Sequence, residues 1–286
     1  MKHLIPYLKL ESNINDDNRI LLVALIIILA FSFLFNITGF AEELTGRQIM
    51  EKQEKLHDAD TEYGEETMLL VDTKSGTKEK RQVKRYAKRM DNGSNRYLLV
   101  FTAPADIKGT SILTHEHDNE DDQWIYMPAT KKIQRVAKTS RKSYFMGTDF
   151  TYEDIEPEEI DSFNYKVLKQ EVVNHIEPNR NCFVIEAIPV NKNKKRASAY
   201  SKRTLWVDSE NFITLKIEFY DRRNRLIKTQ KSFEIEKITG TTYRPKKTIM
   251  ENHKKAHKTL TLVTKRELNK TIADKIFTER FMLSGE

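Results

Sequence analysis

One cysteine, Cys182, stands in 286 residues, so no internal disulfide can form and a disulfide-stapled scaffold is excluded. Nine glycines and seven prolines are too few for a collagen-like or low-complexity chain. Long apolar runs are equally scarce. Only the stretch ending at Ala41 is long enough to span a bilayer, which excludes a polytopic membrane protein. The chain lacks a Gly-x-Ser-x-Gly elbow, a phosphate-cradling Gly-rich loop and a His-Glu-x-x-His pair, the commonest sequence marks of catalysis. Charge is what the chain has in excess: 32% of residues are charged, with a net +7, against about 25% in ordinary soluble domains. The 38% hydrophobic share suffices for a packed core, so full-length disorder is excluded.

From Ile20 to Ala41 no residue is charged, Arg19 precedes the run, and Gly39-Phe40-Ala41 ends it. A basic flank, an apolar core and small residues before a cut after Ala41 predict a secretory signal peptide over 1–41. The same 22 residues are long enough to stay as an N-terminal anchor. Either outcome places residues 42–286 outside the cytoplasm, where nucleic acid is not an expected partner. No Cys follows the apolar core, so an acylated N-terminal cysteine is not expected. Residues 42–286 keep the whole +7, a field suited to anionic headgroups or an acidic protein.

Thr45-Gly-Arg-Gln48 has the form of a capping box, and a helix over about 46–57 follows, its thin apolar stripe placing it on a surface. The rest reads as antiparallel strands. In 212–220, Ile213, Leu215, Ile217 and Phe219 alternate with Thr214, Lys216 and Glu218, which marks a sheet with one apolar and one wet face. After the Asp221–Arg225 turn, Ile227, Phe233 and Ile235 are set against Lys228, Glu234 and Glu236. Similar runs near 65–72, 81–90, 96–102, 110–117, 123–128, 165–176, 181–188, 203–208, 242–251 and 258–266 are separated by turn signals such as Ser75-Gly76 and Asn92-Gly93. About a dozen consecutive strands imply a meander, and a sheet that wide curls toward a half-barrel.

Residues 137–160 break this rhythm. They do not alternate, and they carry Tyr144, Phe145, Met146, Phe150 and Tyr152 among charges, which suits a lid folded over an apolar surface. Charge is segregated on either side. No acid occurs in 123–148, where six cations stand, and seven acids follow in 149–161. A second acid-free run, 187–207, holds Lys192, Lys194, Lys195, Arg196, Lys202 and Arg203. Such runs read as solvated loops or as contacts to phosphate headgroups or a membrane partner.

Three segments carry a family resemblance: Thr102-Ala-Pro-Ala-Asp-Ile-Lys-Gly109, Gln123-Trp-Ile-Tyr-Met-Pro128 and Phe145-Met-Gly-Thr-Asp-Phe-Thr-Tyr-Glu-Asp154. In order and spacing they resemble the LolA-like outer membrane lipoprotein-sorting proteins of Gram-negative bacteria, over roughly 45–283. Thr148 stands where that family usually has Ser, and Ile155 where it usually has Leu. Phe277-Thr278 is similar to its closing helix. The resemblance implies a periplasmic, non-enzymatic protein with a curved antiparallel sheet closed by helices, its cavity holding acyl chains of lipids or lipoproteins. It also implies exchange of cargo between an inner-membrane transporter and an outer-membrane acceptor.

The expected fold is therefore mainly β: a single curved antiparallel half-barrel over 42–286, covered by a few helices and a lid loop. A carrier needs a large apolar concavity, because each exposed methylene costs about 0.8 kcal/mol in water. Candidate lining and lid residues are Leu99, Phe101, Trp124, Tyr126, Phe145, Met146, Phe150, Leu215, Ile217 and Phe219. Candidate headgroup or partner contacts are Lys131, Lys132, Arg135, Arg141 and Lys142. No cofactor is expected. Asp149, Glu153 and Asp154 are expected to cap or ion-pair with the basic 131–142 stretch, and Cys182 to be a small buried hydrophobe. Two rivals stay open: the same fold with a filled core, serving as accessory subunit of an export complex, and a metal site at His115 and His117. His253 and His257, spaced as on a helix turn, are the weaker metal pair.

Overall fold

The computed structural model describes residues 43–117, 121–156 and 159–284. The export segment 20–41 and its cut after Ala41 lie outside these residues. Among the described residues no helix is long and apolar enough to cross a membrane.

Thirteen strands form one antiparallel sheet built from two meanders. The first comprises β1 (Thr61–Asp72), β2 (Lys78–Arg89), β3 (Asn95–Ala103), β4 (Ser111–His115), β5 (Asp122–Met127) and β6 (Lys132–Arg135). The second comprises β7 (Phe163–Val173), β8 (Arg180–Pro189), β9 (Lys202–Asp208), β10 (Thr214–Tyr220), β11 (Leu226–Thr239), β12 (Thr242–Asn252) and β13 (His257–Leu268). The first and last strands join the meanders side by side, from Glu62 opposite Leu268 to Asp72 opposite His257. The order across the sheet is thus β6 to β1, then β13 back to β7, and the sheet is not closed into a barrel. Consecutive strands β6 and β7 become its two opposite edges. The 27 or so residues between them must cross the whole sheet, which is why this one connection is long.

The sheet is curved. Six strand steps separate Phe101 on β3 from Phe219 on β10, roughly 29 Å if the sheet were flat. Yet both rings belong to one packed cluster, Phe101 stacked on Phe145 and Phe219 against Tyr200. The face carrying Leu99, Phe101 and Phe219 is therefore the concave one. The expected strands are all present, and β6 adds one. Lys-Ile-Gln-Arg is too short and too charged for an alternation signal, as befits an edge strand.

Two irregularities alter the predicted faces. On β10, Thr214 pairs with Val207 and Lys216 with Trp206, so Leu215 is an inserted bulge residue. The bulge turns Ile213 and Leu215 away from Ile217 and Phe219, splitting the apolar row over two clusters. On β11, Ile227, Lys228 and Thr229 are all buried, so Lys228 is not on a wet face.

Helix α1 (Gly46–His57) starts with the predicted capping box: Thr45 N–H donates to Gln48 Oε1 at 2.8 Å, and Gln48 N–H to Thr45 Oγ1 at 3.2 Å. Its thin stripe is nonetheless sunk, not superficial. Ile49 and Met50 pack on Ile185, Ala187, Leu205 and Val207 of β8 and β9. Gly46 permits this approach, since a Cβ there would lie 2.9 Å from the backbone carbonyl of Tyr165 on β7. Helix α2 (Lys192–Ala197) lies in the β8–β9 connection, and the chain ends in a 3-10 turn (Asp274–Phe277) and α3 (Glu279–Ser284). This closing segment covers the convex face of β3–β5 with Ile272, Phe277 and Met282.

Gly46→Ala forces α1 off β7 and is expected to cost about 1–3 kcal/mol, read as a lower Tm in a thermal melt. An unchanged Tm would mean that the helix does not dock there.

Candidate functional site

The concave face is apolar across eight strands. Met68, Leu70, Val83, Leu99, Phe101, Ile112 and Ile125 come from the first meander, and Phe219, Ile227 and Met250 from the second. Burying such a face is the main stabilising term available to the fold. The connection from β6 to β7 does the covering. Phe145 and Phe150 enter the cluster, with Phe145 stacked on Phe101 at 5.7 Å and only 1% exposed. Met146, Tyr152 and Ile155 pack around them. The lid predicted at 137–160 is thus present, and its aromatic residues are a plug in the middle of the face. Gly147 (φ +74°), after Met146 at φ +48°, turns the chain tightly at the tip of the plug.

The plug is clamped by buried polar bonds to the sheet. Arg81 Nη1 on β2 donates to the Met146 carbonyl. Asp149 accepts from Thr259 Oγ1 at 2.8 Å and contacts His257 Nδ1 at 2.7 Å, both on β13. Its own N–H donates to Thr259 Oγ1 at 3.0 Å. Glu153 binds Arg203 Nη2 at 3.0 Å and the N–H of Ala199 at 2.7 Å. At the centre, Lys228 and Asp154 form an ion pair with side chains 1% and 3% exposed. Lys228 also donates to the Asp149 carbonyl and lies 4.9–5.8 Å from the ring centres of Phe219, Tyr200 and Tyr144. Burial would raise the Asp154 carboxyl, but the Lys228 ammonium and the N–H of Thr151 hold it below the ordinary carboxylate range. Asp149, Glu153 and Asp154 thus pair with β13, β9 and β11, not with 131–142 as expected. Glu159 pairs with Lys194 of α2 at 2.6 Å. Glu156 does reach the basic stretch, its Oε1 3.2 Å from Arg141 Nε. That pair lacks hydrogen-bond geometry, and burial pushes Glu156 up to about 7 despite the arginine.

Beyond the plug the concave face changes character. A cavity of about 200 Å³ reaches from Leu99, Ile112 and Ile155 to Glu62, Glu66, Arg85 and Arg266. Glu62 pairs with Arg266 and Arg244 at 3.0 Å, and Glu66 with Arg85 at 2.9 Å. This volume is below the roughly 300–1,000 Å³ of ordinary ligand pockets. A second cavity of about 470 Å³ shares Glu62, Ala87 and Tyr97 with the first and opens between His57, Asp58 and Arg244. The middle of the expected apolar hollow is therefore occupied by the plug, and the space that remains is lined by apolar and charged side chains together.

Leu99, Phe101, Phe145, Met146, Phe150, Ile217 and Phe219 are brought together in the cluster under the plug. Trp124 and Tyr126 are not. Trp124 lies opposite Leu113 in the ladder and Tyr126 opposite Ser111, so both face the closing segment on the convex side. Leu215 joins Trp206 and Cys182 in another cluster. Lys131, Lys132 and Arg135 lie on or beside edge strand β6, Arg135 paired with Asp122. Arg141 and Lys142 lie instead in the 3-10 turn Lys138–Lys142 at the foot of the lid. Sequence reasoning missed Lys228, Tyr200, Thr259 and Arg81. A lysine in an alternating strand reads as solvent-facing, and its carboxylate partner is 74 residues away.

His115 Nε2 bonds the Phe277 carbonyl at 3.0 Å, and its ring meets Trp124 edge-on, while His117 is half-exposed beside Asp122. His253 and His257 flank the β12–β13 turn, not a helix, and bond Thr229 and Asp149. Among the described residues no group of three or more His, Cys, Asp or Glu is placed to hold a metal ion. Cys182 is fully buried, and burial pushes its thiol up to about 12.

One open antiparallel sheet with a few helices is an architecture that matches the LolA-like fold. A family model described only as uncharacterized-protein-like matches residues 93–284. Among solved structures, a protein described as an outer membrane lipoprotein-sorting domain from Vibrio parahaemolyticus is 26% identical, with a TM-score of 0.76 over 83% of this chain and 98% of that one. A DUF1329 family protein from Desulfovibrio piger (24%, 0.76, 83% and 97%) and a LolA superfamily protein from Nitrosomonas europaea (22%, 0.65, 84% and 100%) share the fold. No curated protein matches. The chain belongs to the family that the matching model describes, and its resemblance to the LolA-like lipoprotein-sorting proteins holds over the whole fold.

Two outcomes follow from the clamp. Asp154→Ala strands a buried ammonium and is expected to cost about 3–5 kcal/mol in urea unfolding. Lys228→Met combined with Asp154→Leu should recover much of that loss. A double variant no better than Asp154→Ala would show that the pair is not the unit of stability. For Glu156, the folded chain holds its proton more tightly than the unfolded chain. Its contribution is complete below about 4.5 and is lost as pH rises to about 7. Glu156→Gln should remove that part of the decline in Tm between pH 5 and pH 8, and an unchanged slope would refute it.

Proposed function

We propose that this protein is an exported, non-enzymatic carrier that holds acyl chains of a lipoprotein or lipid on the concave face of its sheet. Residues 1–41 act as the signal peptide, or remain as an anchor facing the periplasm, and 42–286 do the binding. The carrying observation is where the plug comes from. Phe145 and Phe150 sit on a connection, not on a strand, and cover an apolar face contributed by eight strands. A hydrocarbon chain that displaced them would keep that face dry, at about 0.8 kcal/mol per methylene buried. The fold supports this reading, since the similar chain from Vibrio parahaemolyticus is described as lipoprotein-sorting. Charged groups at the rim, Lys131, Lys132 and Arg135 on one edge and Arg141 and Lys142 at the foot of the lid, would steer docking to an inner-membrane transporter and an outer-membrane acceptor.

A second reading has its own observation. The clamp is buried and Phe145 is inaccessible, as in a permanently filled core, and the protein would then be an accessory subunit of an export complex. Because Phe145 is core, its replacement by Asp unfolds the protein under both readings and cannot separate them.

A reversible lock can. Asp149 N–H touches Thr259 Oγ1, so Asp149→Cys with Thr259→Cys ties the plug to β13 when oxidised. For a carrier, uptake of a fluorescent fatty acid by the full chain is expected to stop on oxidation and return on reduction. Asp149→Ala, which loosens the clamp, should speed uptake. Absence of uptake in the wild type and in Asp149→Ala, with no lipid extractable from protein purified from membranes, would leave the filled-core reading.

A further inference from the structure

The two acid-free runs, 123–148 and 187–207, are about 50 residues apart in the chain, and the fold brings their centres together. The 3-10 turn Lys138–Lys142 at the foot of the lid packs beside α2, from the opposite half of the sheet. Lys142 Nζ donates to the Arg196 carbonyl, and Arg222 Nη2 reaches the same oxygen at 3.2 Å. Between the two segments lies a groove of about 590 Å³, lined by Lys138, Arg141, Lys142, Lys194 and Arg196. Among the described residues the carboxylates that line it are Asp121 and Glu159, and Glu159 is engaged by Lys194 at 2.6 Å and by Ser162. Arg141 forms the floor, its side chain 15% exposed and oriented by donation to the Asp121 carbonyl.

Lys194 is paired with Glu159 and Arg141 lies beside Glu156, but Lys142 and Arg196 meet no carboxylate among the described residues, so positive charge stays crowded in the groove unless an anion enters. The volume is that of a small-molecule pocket, too confined for a macromolecular surface. A guanidinium fork at the floor with ammonium and guanidinium groups at the rim is a set that recognises a phosphate. We infer that the groove between residues 138–142 and α2 binds a phosphate group, supplied by the headgroup of a phospholipid. The inference deepens the carrier reading and rests on it only for the source of the phosphate. One wall of the groove belongs to the connection that carries the plug and the other to α2, so a headgroup bridging them holds the foot of the lid against the second meander.

The test uses the full chain and two probes, inorganic phosphate and monomeric dihexanoylphosphatidylglycerol, with affinity read by calorimetry. Lys142→Gln with Arg196→Gln, both at the surface, is expected to weaken both probes at least about tenfold, the equivalent of about 1.4 kcal/mol. Lys131→Gln with Lys132→Gln removes the same charge from the β6 edge and should change affinity by less than about twofold, because these side chains do not line the groove and exposed charges are screened by salt. The lipid binding more tightly than phosphate, with the same variant sensitivity, supports a headgroup site. Phosphate binding with no gain from the lipid keeps the groove and overturns the headgroup source. No binding of either probe, or equal losses in the two double variants, overturns the groove. Loss of fatty-acid uptake in the wild type with phosphate binding intact would instead remove the carrier reading and leave the groove standing.

Discussion

The buried contact between Lys228 and Asp154 is the constraint on which the rest of the molecule turns. A charged pair removed from water costs several kcal/mol per ion unless its remaining hydrogen-bonding capacity is filled. Here it is filled. Asp154 accepts from Tyr200 and Thr151, and Lys228 donates to the Asp149 carbonyl inside a cage of aromatic rings. That arrangement exists only when residues 144–155 lie against β11 and β13. The pair contributes little net attraction, but it makes every other position of the plug costly, because displacement leaves an ammonium stranded beneath it.

Topology explains why a connection, and not a helix, does this work. Pairing the first strand with the last places β6 and β7 at opposite edges, so the chain between them has to cross the concave face to continue. Helices cover what it does not: α1 lies over β8 and β9, and the closing segment over the convex side of β3–β5. The motif segments meet around this crossing. Gly109 lies tight against Pro128, where a Cβ would come to 3.1 Å, Ile107 reaches the central cluster, and Phe101 stacks on Phe145. The sequence resemblance was therefore carried by residues that position the plug.

The strands and α1 were legible because their signals are local: alternation along 212–220, a capping box at Thr45, a Gly in the turns at Gly76 and Gly93. The faces were legible only until the first irregularity. One inserted residue at Leu215 reverses which side its neighbours occupy, and nothing in the alternation announces it. Trp124 and Tyr126 read as cavity residues because aromatic strands are apolar on paper whichever side they face, and only the pairing with Leu113 and Ser111 assigns them to the convex side. Charge partners were the least legible. Seven acids beside a basic stretch suggest a local match, whereas the fold sends Asp149, Glu153 and Asp154 to three strands more than 45 residues away.

The concave face is thus divided along the strands. Under the plug it is lined by Met68, Leu70, Val83, Leu99 and Phe101; beyond Ile155 the same strands β1 and β2 present Glu62, Glu66 and Arg85, joined by Arg266 from β13. A hydrocarbon tail gains nothing by lying on the second half, where it would separate Glu62 from Arg244 and Arg266 and strand ionised groups without partners. On the proposed carrier reading, any tail on this face must therefore take the place of Phe145 and Phe150. The affinity for it is the burial it gains less the cost of releasing the clamp, so a longer chain opens the plug more readily than a short one. Selection by chain length then follows from the competition itself, without any dedicated contact at the end of the tail.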